Sequence, residues 1–261
     1  MTRLTIPRRR LAEGLESARK EIGLVAALAV TVVGLLIFLS MADEVVDGHT
    51  KGFDEGLMLM LRHPGDIARP IGPAWLKLAA MDLTAFGSIT DLTLIVLAVV
   101  GLFVAQRRWR EAALLACACG SGLPLVGLMK AVFGRERPPV AMHAVEVGNS
   151  SFPSGHAMLS ALVYLSLAAL LAHFAERRRV RVYALATGLA ATLLVGASRV
   201  YLGVHWPTDV LAGWALGAAW AMLWWLIAWW VEHRPRSGRP PEALDNTAAR
   251  GSRPATSRRD R

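Results

Sequence analysis

Residues 150–156 read Ser-Ser-Phe-Pro-Ser-Gly-His, and an apolar run over residues 157–175 follows them directly. This order predicts a helix with Ser154 as its N-cap and with Gly155 and His156 in its first turn. Free backbone N–H groups and the helix dipole make such an end a binding site for anions. Gly155 lets an anion approach the backbone closely, and His156 adds a proton donor. Since Ser-Gly at a helix start is also common capping chemistry, the hypothesis of a phosphate site depends on the residues around it.

The composition indicates an integral membrane protein. The chain has 261 residues, of which 54% are hydrophobic, and its mean hydropathy is +0.40. Apolar runs long enough to span a bilayer recur along it. A net charge of +9 would suit nucleic-acid binding, but Lys and Arg cluster beside the apolar runs, so we expect a bilayer and no nucleic acid as partner. Cys117 and Cys119 lie on different faces of one apolar helix, which argues against a disulfide framework.

The apolar runs predict an all-α polytopic fold with six transmembrane helices, at about residues 22–41, 88–105, 112–129, 155–175, 182–197 and 209–231. Residues 1–21 form a basic arm before this domain of residues 22–231, and the basic tail 232–261 is predicted to be disordered. A signal peptide is the alternative for the first run, because Ser40-Met41-Ala42 resembles a cleavage site. The run is longer than the usual apolar core of a signal peptide, which favours a retained anchor.

An interfacial helical segment is expected between spans one and two. Residues 42–87 carry mixed charge and contain no full span. Apolar side chains there fall roughly on one helical face: Phe53, Leu57, Met58, Met60 and Leu61. They predict a short amphipathic helix in the membrane interface, with a helix packed on the spans as the alternative. A second helical piece over residues 75–86 is expected to lead into span two.

The basic residues predict the topology. With the N-terminus in the cytoplasm, most of the 29 Lys and Arg residues fall in cytoplasmic segments, in agreement with the positive-inside rule. Six spans then return the C-terminus to the cytoplasm. We therefore expect a multi-pass protein of the cell (inner) membrane with both termini cytoplasmic. Residues 42–87, 130–153 and 198–208 are expected on the outer, periplasmic side.

Four basic residues fall at or near the outer membrane ends, where positive charge is otherwise scarce: Lys130, Arg135, Arg137 and Arg199. A single cation at a span end can simply extend its charge to the interface. A group of four on the side that the topology leaves poor in cations is better explained by function. Lys and Arg neutralise and orient phosphate oxygens, and the Ser154-Gly155-His156 helix start is expected at the same depth.

A second histidine lies near this cluster. His205 and Asp209 are four positions apart, and Pro207 between them suits the first position of a helix. Asp209 could hold the imidazole of His205 in one tautomer, as a carboxylate does in hydrolase triads. A neutral imidazole held in this way is a nucleophile for phosphorus, and His156 could then protonate the leaving oxygen as a general acid.

Three sequence blocks together resemble a known signature. They are Lys130-x6-Arg137-Pro138, then Pro153-Ser154-Gly155-His156, then Ser198-Arg199-x5-His205-x3-Asp209. Their order and spacing resemble the tripartite signature of the type-2 phosphatidic acid phosphatase family, which are lipid phosphate phosphatases related to glucose-6-phosphatase and the vanadium haloperoxidases. The signature covers residues 130–209, and the six-span layout extends the resemblance over residues 22–231.

The resemblance implies a six-helix membrane fold and hydrolysis of a phosphomonoester or diphosphate without metal or other cofactor. It implies that His205 forms a phosphohistidine, that Asp209 is its partner and that His156 is the acid. It assigns phosphate binding to Lys130, Arg137, Ser154, Gly155 and Arg199. Arg135 is not a signature position and is a weaker candidate. No His, Asp and Glu cluster has the spacing of a metal site.

Several functions fit these features. The leading hypothesis is a phosphatase acting on a lipid phosphate: phosphatidic acid, phosphatidylglycerol phosphate or a polyprenyl diphosphate such as undecaprenyl diphosphate. A phosphotransferase using the same intermediate is the close alternative. A lipid carrier without turnover would need the cations but not the histidines, and a vanadate haloperoxidase is disfavoured because the site is embedded among spans. The sequence indicates neither the oligomeric state nor which lipid is the substrate.

Overall fold

The computed structural model describes residues 8–148 and 150–233, with side chains described from Glu21 onward. The helices are α1 (Arg8–Val46), α2 (Lys51–Met60), α3 (Ala74–Ala85), α4 (Ile89–Ala105), α5 (Trp109–Phe133), α6 (Gly155–Phe174), α7 (Arg178–Tyr201) and α8 (Pro207–His233). A short hairpin joins β1 (Arg62–His63) to β2 (Asp66–Pro70), and a 3-10 turn covers Val140–Met142. Most of the predicted tail, residues 234–261, lies outside the described residues.

The helices have the length and hydropathy of membrane spans. Five of them, α1 from Glu21, α5, α6, α7 and α8, could each cross a bilayer. Helices α3 and α4 qualify only together, as a pair bent by 49°, so the described residues hold five candidate spans, or six if the bent pair is one span. Helix α4 alone has 17 residues, so the predicted second span reaches full length only with α3. The prediction of an all-α polytopic fold is therefore confirmed.

Local chemistry explains where two of the central helices begin. The hydroxyl of Ser154 accepts a hydrogen bond from the backbone N–H of Ala157, as the N-cap prediction requires. Helix α8 begins at Pro207, whose fixed φ and missing N–H suit the first position of a helix. Both starts fall at the same end of the bundle, because the backbone N–H of Ser154 donates to the carbonyl of Asp209 over 3.0 Å.

Close backbone contact holds the central helices together. Helix α8 packs against α1 and α6, and α6 packs against α7. A Cβ on Gly217 of α8 would lie only 2.3 Å from the carbonyl oxygen of Met158 and 2.8 Å from the Cβ of Ala161, both on α6. Small residues allow this approach, which maximises van der Waals contact between spans in the absence of a hydrophobic driving force.

The segment between α1 and α4 differs from the prediction in two ways. It contains the β1–β2 hairpin, which the sequence analysis did not predict. Arg62 of this hairpin is buried, and its guanidinium donates to the carbonyls of Tyr201 (3.1 Å) and Met142 (3.3 Å). Burial lowers the pKa of Arg62, and these carbonyls offset part of the cost of burying the charge. The hairpin is thus fixed by partners distant in sequence rather than by a local strand pattern.

Helix α2 has two faces rather than one apolar face, and it packs on the spans at α8. Phe53, Leu57 and Met60 are exposed, as expected for side chains that enter a membrane interface. Met58 is completely buried, together with Asp54. The prediction that Met58 shares a face with Phe53 is wrong, because α2 also packs against the start of α8 and needs a second, inward face.

We expect Gly217→Ala to destabilise the fold by about 1–3 kcal/mol, since the added methyl group overpacks the contact between α6 and α8. Gly101→Ala on α4 is the matched control, because a Cβ there meets nothing within 4 Å. Thermal unfolding in lipid nanodiscs should show a lower midpoint for Gly217→Ala and no loss for Gly101→Ala. Equal midpoints for the two variants would contradict the close crossing.

Candidate active site

The predicted site residues meet at one end of the helix bundle, here called the site end. It is formed by the C-terminal ends of α5 and α7, the N-terminal ends of α6 and α8, and the loop between α5 and α6. The side chains gathered there include all of the predicted ones: Lys130, Arg137, Ser154, Gly155, His156, Arg199, His205 and Asp209.

His205 and Asp209 form a buried pair. The Nδ1 atom of His205 lies 3.4 Å from the Oδ2 atom of Asp209, and the two side chains are 2% and 0% exposed. The same Oδ2 atom accepts hydrogen bonds from the backbone N–H of Trp206 (2.9 Å) and from the hydroxyl of Ser151. A carboxylate fixed by several donors can orient an imidazole and select the tautomer with its proton on Nδ1.

The other ring nitrogen of His205 faces a cation. Its Nε2 atom lies 3.2 Å from the Nη1 atom of Arg137, which also donates to the carbonyl of Val204 over 2.6 Å. Burial lowers the pKa of His205 to about 4, against the opposing effect of Asp209. The imidazole is therefore neutral at neutral pH, with an electron pair on Nε2 directed toward the guanidinium. This arrangement can deliver a nucleophile to a group that Arg137 binds.

Two further cations surround the start of α6. The Nζ atom of Lys130 donates to the carbonyl of Ser150 over 2.6 Å. A Cβ on Gly155 would lie 3.8 Å from the Cε atom of Lys130, so a side chain there would narrow the space beside the cation. Arg199 is 4% exposed and donates through Nη1 to the hydroxyl of Thr84 over 3.0 Å, while its Nε–H has no hydrogen-bond partner among the described residues. A buried donor without a partner is unfavourable, and an anion would satisfy it.

His156 lies at the mouth of α6 and is half-buried. The charges of Lys130, Arg137 and Arg199 act on its ring electrostatically. The break between α3 and α4 borders the ring, because a Cβ on Gly87 would lie 3.2 Å from the Cδ2 atom of His156. A half-buried imidazole beside clustered cations can exchange a proton with a bound oxygen.

Sequence reasoning missed residues that support the pair. Arg135, treated above as a weaker phosphate ligand, donates instead to two carboxylates, Asp209 Oδ1 (2.6 Å) and Asp54 Oδ2 (2.7 Å). Ser151 and Thr84 also bind predicted site residues. One signal was present, since Asp54 is an acidic residue one helical turn before the apolar Leu57 and Met58 of α2. The partners of Asp54 lie far along the chain, so a local sequence pattern could not predict them.

No group of three or more His, Cys, Asp or Glu side chains within residues 21–148 and 150–233 has an arrangement that could hold a metal ion. The positive charge near the two histidines comes from Lys130, Arg137 and Arg199. Burial lowers the pKa of Arg137, although Asp209 opposes this shift. These three cations could bind a phosphate at the site end.

Comparisons with known proteins show the family to which the chain is similar. The model of the PAP2 superfamily matches residues 111–233. The chain is 33% identical over 189 residues to phosphatidylglycerophosphatase B of Bacillus subtilis, covering 70% of this chain and 86% of that protein. It is 40% identical over 68 residues to undecaprenyl-diphosphatase of Sulfolobus acidocaldarius, covering 26% of this chain and 29% of that protein.

A solved structure gives the same result for the fold. The crystal structure of a transmembrane PAP2-type phosphatidylglycerolphosphate phosphatase from Bacillus subtilis superposes with a TM-score of 0.67 at 28% identity. The match covers 80% of this chain and 98% of the solved one. Because the likeness covers 86% and 98% of the Bacillus subtilis sequence and structure, and the family match over residues 111–233 includes the buried pair, the chain belongs to the PAP2 superfamily of membrane-embedded phosphatases.

Proposed function

We propose that this protein hydrolyses a phosphomonoester or diphosphate of a membrane lipid through a phosphohistidine on His205. The observation that carries the proposal is the buried contact of His205 with Asp209 on one ring nitrogen and with Arg137 on the other. A carrier would need cations to bind phosphate, but it would not need a neutral imidazole held by a carboxylate.

Binding of the phosphate would use the start of α6 and the cations around it. Lys130, Arg137 and Arg199 neutralise the phosphate oxygens. Ser154 caps the helix through its hydroxyl and its own N–H donates to the Asp209 carbonyl, so the proposed backbone contacts to the phosphate begin at Gly155, at a helix N-terminus where the dipole favours an anion. Arg137 then has two tasks, because its contact with Nε2 of His205 brings a bound phosphate beside the nucleophile.

The chemistry would proceed in two steps. First, the Nε2 electron pair of His205 attacks phosphorus, and the bond from phosphorus to the lipid oxygen breaks. That oxygen leaves with the proton of His156. Second, water attacks the phosphohistidine and gives a proton to His156, while the phosphorus–nitrogen bond breaks and its electron pair returns to Nε2. Asp209 stabilises the positive charge that the His205 ring acquires while phosphorylated.

The substrate class is proposed from the membrane setting and from the relatives. The site lies at one end of a bundle of candidate membrane spans, which would place it near the depth where lipid headgroups meet water. The relatives above are named for phosphatidylglycerol phosphate and undecaprenyl diphosphate. We propose a lipid phosphate of this kind, phosphatidic acid included, with water as acceptor. Phosphate release measured with and without a second lipid acceptor separates hydrolysis from phosphotransfer.

The site end is proposed to face the periplasm, with both termini in the cytoplasm, because cationic residues are concentrated at the opposite ends of the spans. We expect Asp47→Cys to react with an impermeant maleimide in intact spheroplasts, since Asp47 is exposed in the turn after α1. The experiment uses a background without Cys117 and Cys119. Arg107→Cys, in the exposed turn between α4 and α5, is the control and should react only after permeabilisation. The reverse labelling pattern would overturn the topology.

Activity should survive chelators, because the proposed positive charge comes from Lys130, Arg137 and Arg199. Vanadate should inhibit, since its trigonal-bipyramidal form mimics the transition state. The measurement is phosphate release from lipid phosphates after dialysis against EDTA. Activity that disappears and returns with a divalent ion would show that the mechanism is wrong.

Replacement of His205 and replacement of His156 should affect the reaction differently. His205→Ala should abolish turnover and the covalent intermediate. His156→Ala should slow release of a lipid alkoxide by about 10²–10⁴-fold, the usual contribution of a general acid. His156→Ala should slow the hydrolysis of p-nitrophenyl phosphate much less, because p-nitrophenolate leaves without a proton.

The test compares both substrates in both variants and looks for phosphohistidine after quenching without acid. If His205→Ala still forms phosphohistidine, the nucleophile is another residue. Equal slowing of the two substrates in His156→Ala would assign His156 to phosphate binding rather than to proton transfer.

A further inference from the structure

A buried ion cluster connects the interfacial helix α2 to the proposed catalytic pair. The guanidinium of Arg135 donates through Nη2 to Asp54 Oδ2 over 2.7 Å and through Nη1 to Asp209 Oδ1 over 2.6 Å. The side chains of Asp54 and Asp209 are 1% and 0% exposed, and that of Arg135 is 15% exposed. One cation therefore lies between two carboxylates in a region almost free of solvent.

Asp54 also binds the start of α8 directly. Its Oδ1 atom accepts from the backbone N–H of Thr208 (3.0 Å), and its Oδ2 atom accepts from the Thr208 hydroxyl (2.7 Å). The hydroxyl oxygen in turn accepts from Nη1 of Arg135 over 2.9 Å. A carboxylate from α2 thus caps the helix that carries Asp209, where the dipole favours negative charge. This contact fixes the backbone next to Asp209.

The two oxygens of Asp209 have different partners. Oδ2 faces His205 and accepts from Ser151 and Trp206, while Oδ1 accepts from Arg135. If Arg135 did not hold Oδ1, the carboxylate could rotate and Oδ2 could leave the Nδ1 atom of His205. Because a guanidinium offers two parallel N–H donors in a rigid plane, its second contact with Asp54 sets its position.

From these contacts we infer that Arg135 and Asp54 are positioning residues for the catalytic carboxylate. Asp54 orients Arg135, Arg135 holds Asp209, and Asp209 holds the imidazole of His205 for attack. This inference rests on the proposed function of His205. It assigns to α2, whose other face carries the exposed Phe53 and Met60, a part in the chemistry and not only in membrane contact.

The principal variant is Asp54→Asn, which keeps the shape of the side chain and removes its charge. Its matched control is Glu55→Gln, the next residue on α2, which is half-exposed and pairs only loosely with Lys51 at 4.0 Å. We expect Asp54→Asn to lower kcat by about 10–100-fold, by analogy with the loss of a carboxylate that orients a metal-binding histidine. KM should change by less than about threefold, since none of the proposed phosphate ligands is altered. Glu55→Gln should behave as the wild type.

The choice of substrate separates this role from that of His156. Because Asp54 acts on the attacking group, Asp54→Asn should slow phosphohistidine formation equally with a lipid phosphate and with p-nitrophenyl phosphate. A merely structural role would lower the amount of folded enzyme and leave the kcat of the folded fraction, counted by stoichiometric phosphorylation, unchanged. That result, or a kcat within twofold of Glu55→Gln, would overturn the inference.

Arg135→Lys is a second variant that tests the same inference if Asp54→Asn does not fold. Lysine keeps the charge but cannot bridge two carboxylates with a planar fork, so kcat should fall similarly at little change in KM. If both variants fold, the double variant should lose much less than the product of the two single effects, since both residues act through one link. A loss of kcat in the double variant equal to the product of the two single losses would contradict the inference that both residues act through Asp209. Absence of phosphohistidine in the wild type would instead refute the proposed function itself.

Discussion

A carboxylate that is removed from water destabilises a protein unless donors surround it, and Asp209 at the start of α8 is completely buried. Its donors come from separate parts of the chain. Ser151 and Arg135 belong to the loop after α5, whereas His205 and Trp206 precede α8. Because every donor must reach the same two oxygen atoms, this single group fixes the loop and the turn relative to each other.

The geometry of the central helices brings a second constraint to the same place. The N-termini of α6 and α8 lie side by side, joined by the hydrogen bond from the Ser154 N–H to the Asp209 carbonyl. Two positive dipole ends together repel each other in an apolar environment. Asp209 and Asp54 offset this at α8, where Asp54 caps Thr208. At α6 Ser154 satisfies one N–H internally, and the region in front of Gly155 keeps the positive potential that suits a phosphate.

Much of the fold could be predicted because a long apolar run in a bilayer has few structural solutions. The helix starts at Ser154 and Pro207 could be predicted for a similar reason, since capping is decided by neighbours in sequence. The hairpin and the inward face of α2 could not, because Arg62 finds its partners at Met142 and Tyr201. Such contacts leave no local periodicity.

In the candidate site, too, some residues could be predicted from the sequence and others could not. The histidines and cations could be identified from spacing, since the chemistry demands those residue types. The role of Arg135 could not be inferred in this way. An arginine that binds phosphate and an arginine that pairs with two carboxylates cannot be distinguished by residue type and spacing.

The position of Asp54 has a consequence for the biogenesis of the protein. It precedes its partner Thr208 by 154 positions, and chains grow from the N-terminus at about 5–20 residues per second. For about 8–30 s after its own synthesis, Asp54 therefore has no α8 to pair with. A carboxylate within a span would face hydrocarbon during this interval, whereas one on an interfacial helix can remain hydrated until the last helix inserts. The contact between Asp54 and Thr208, and with it the complete ion cluster, can therefore form only after α8 has been made.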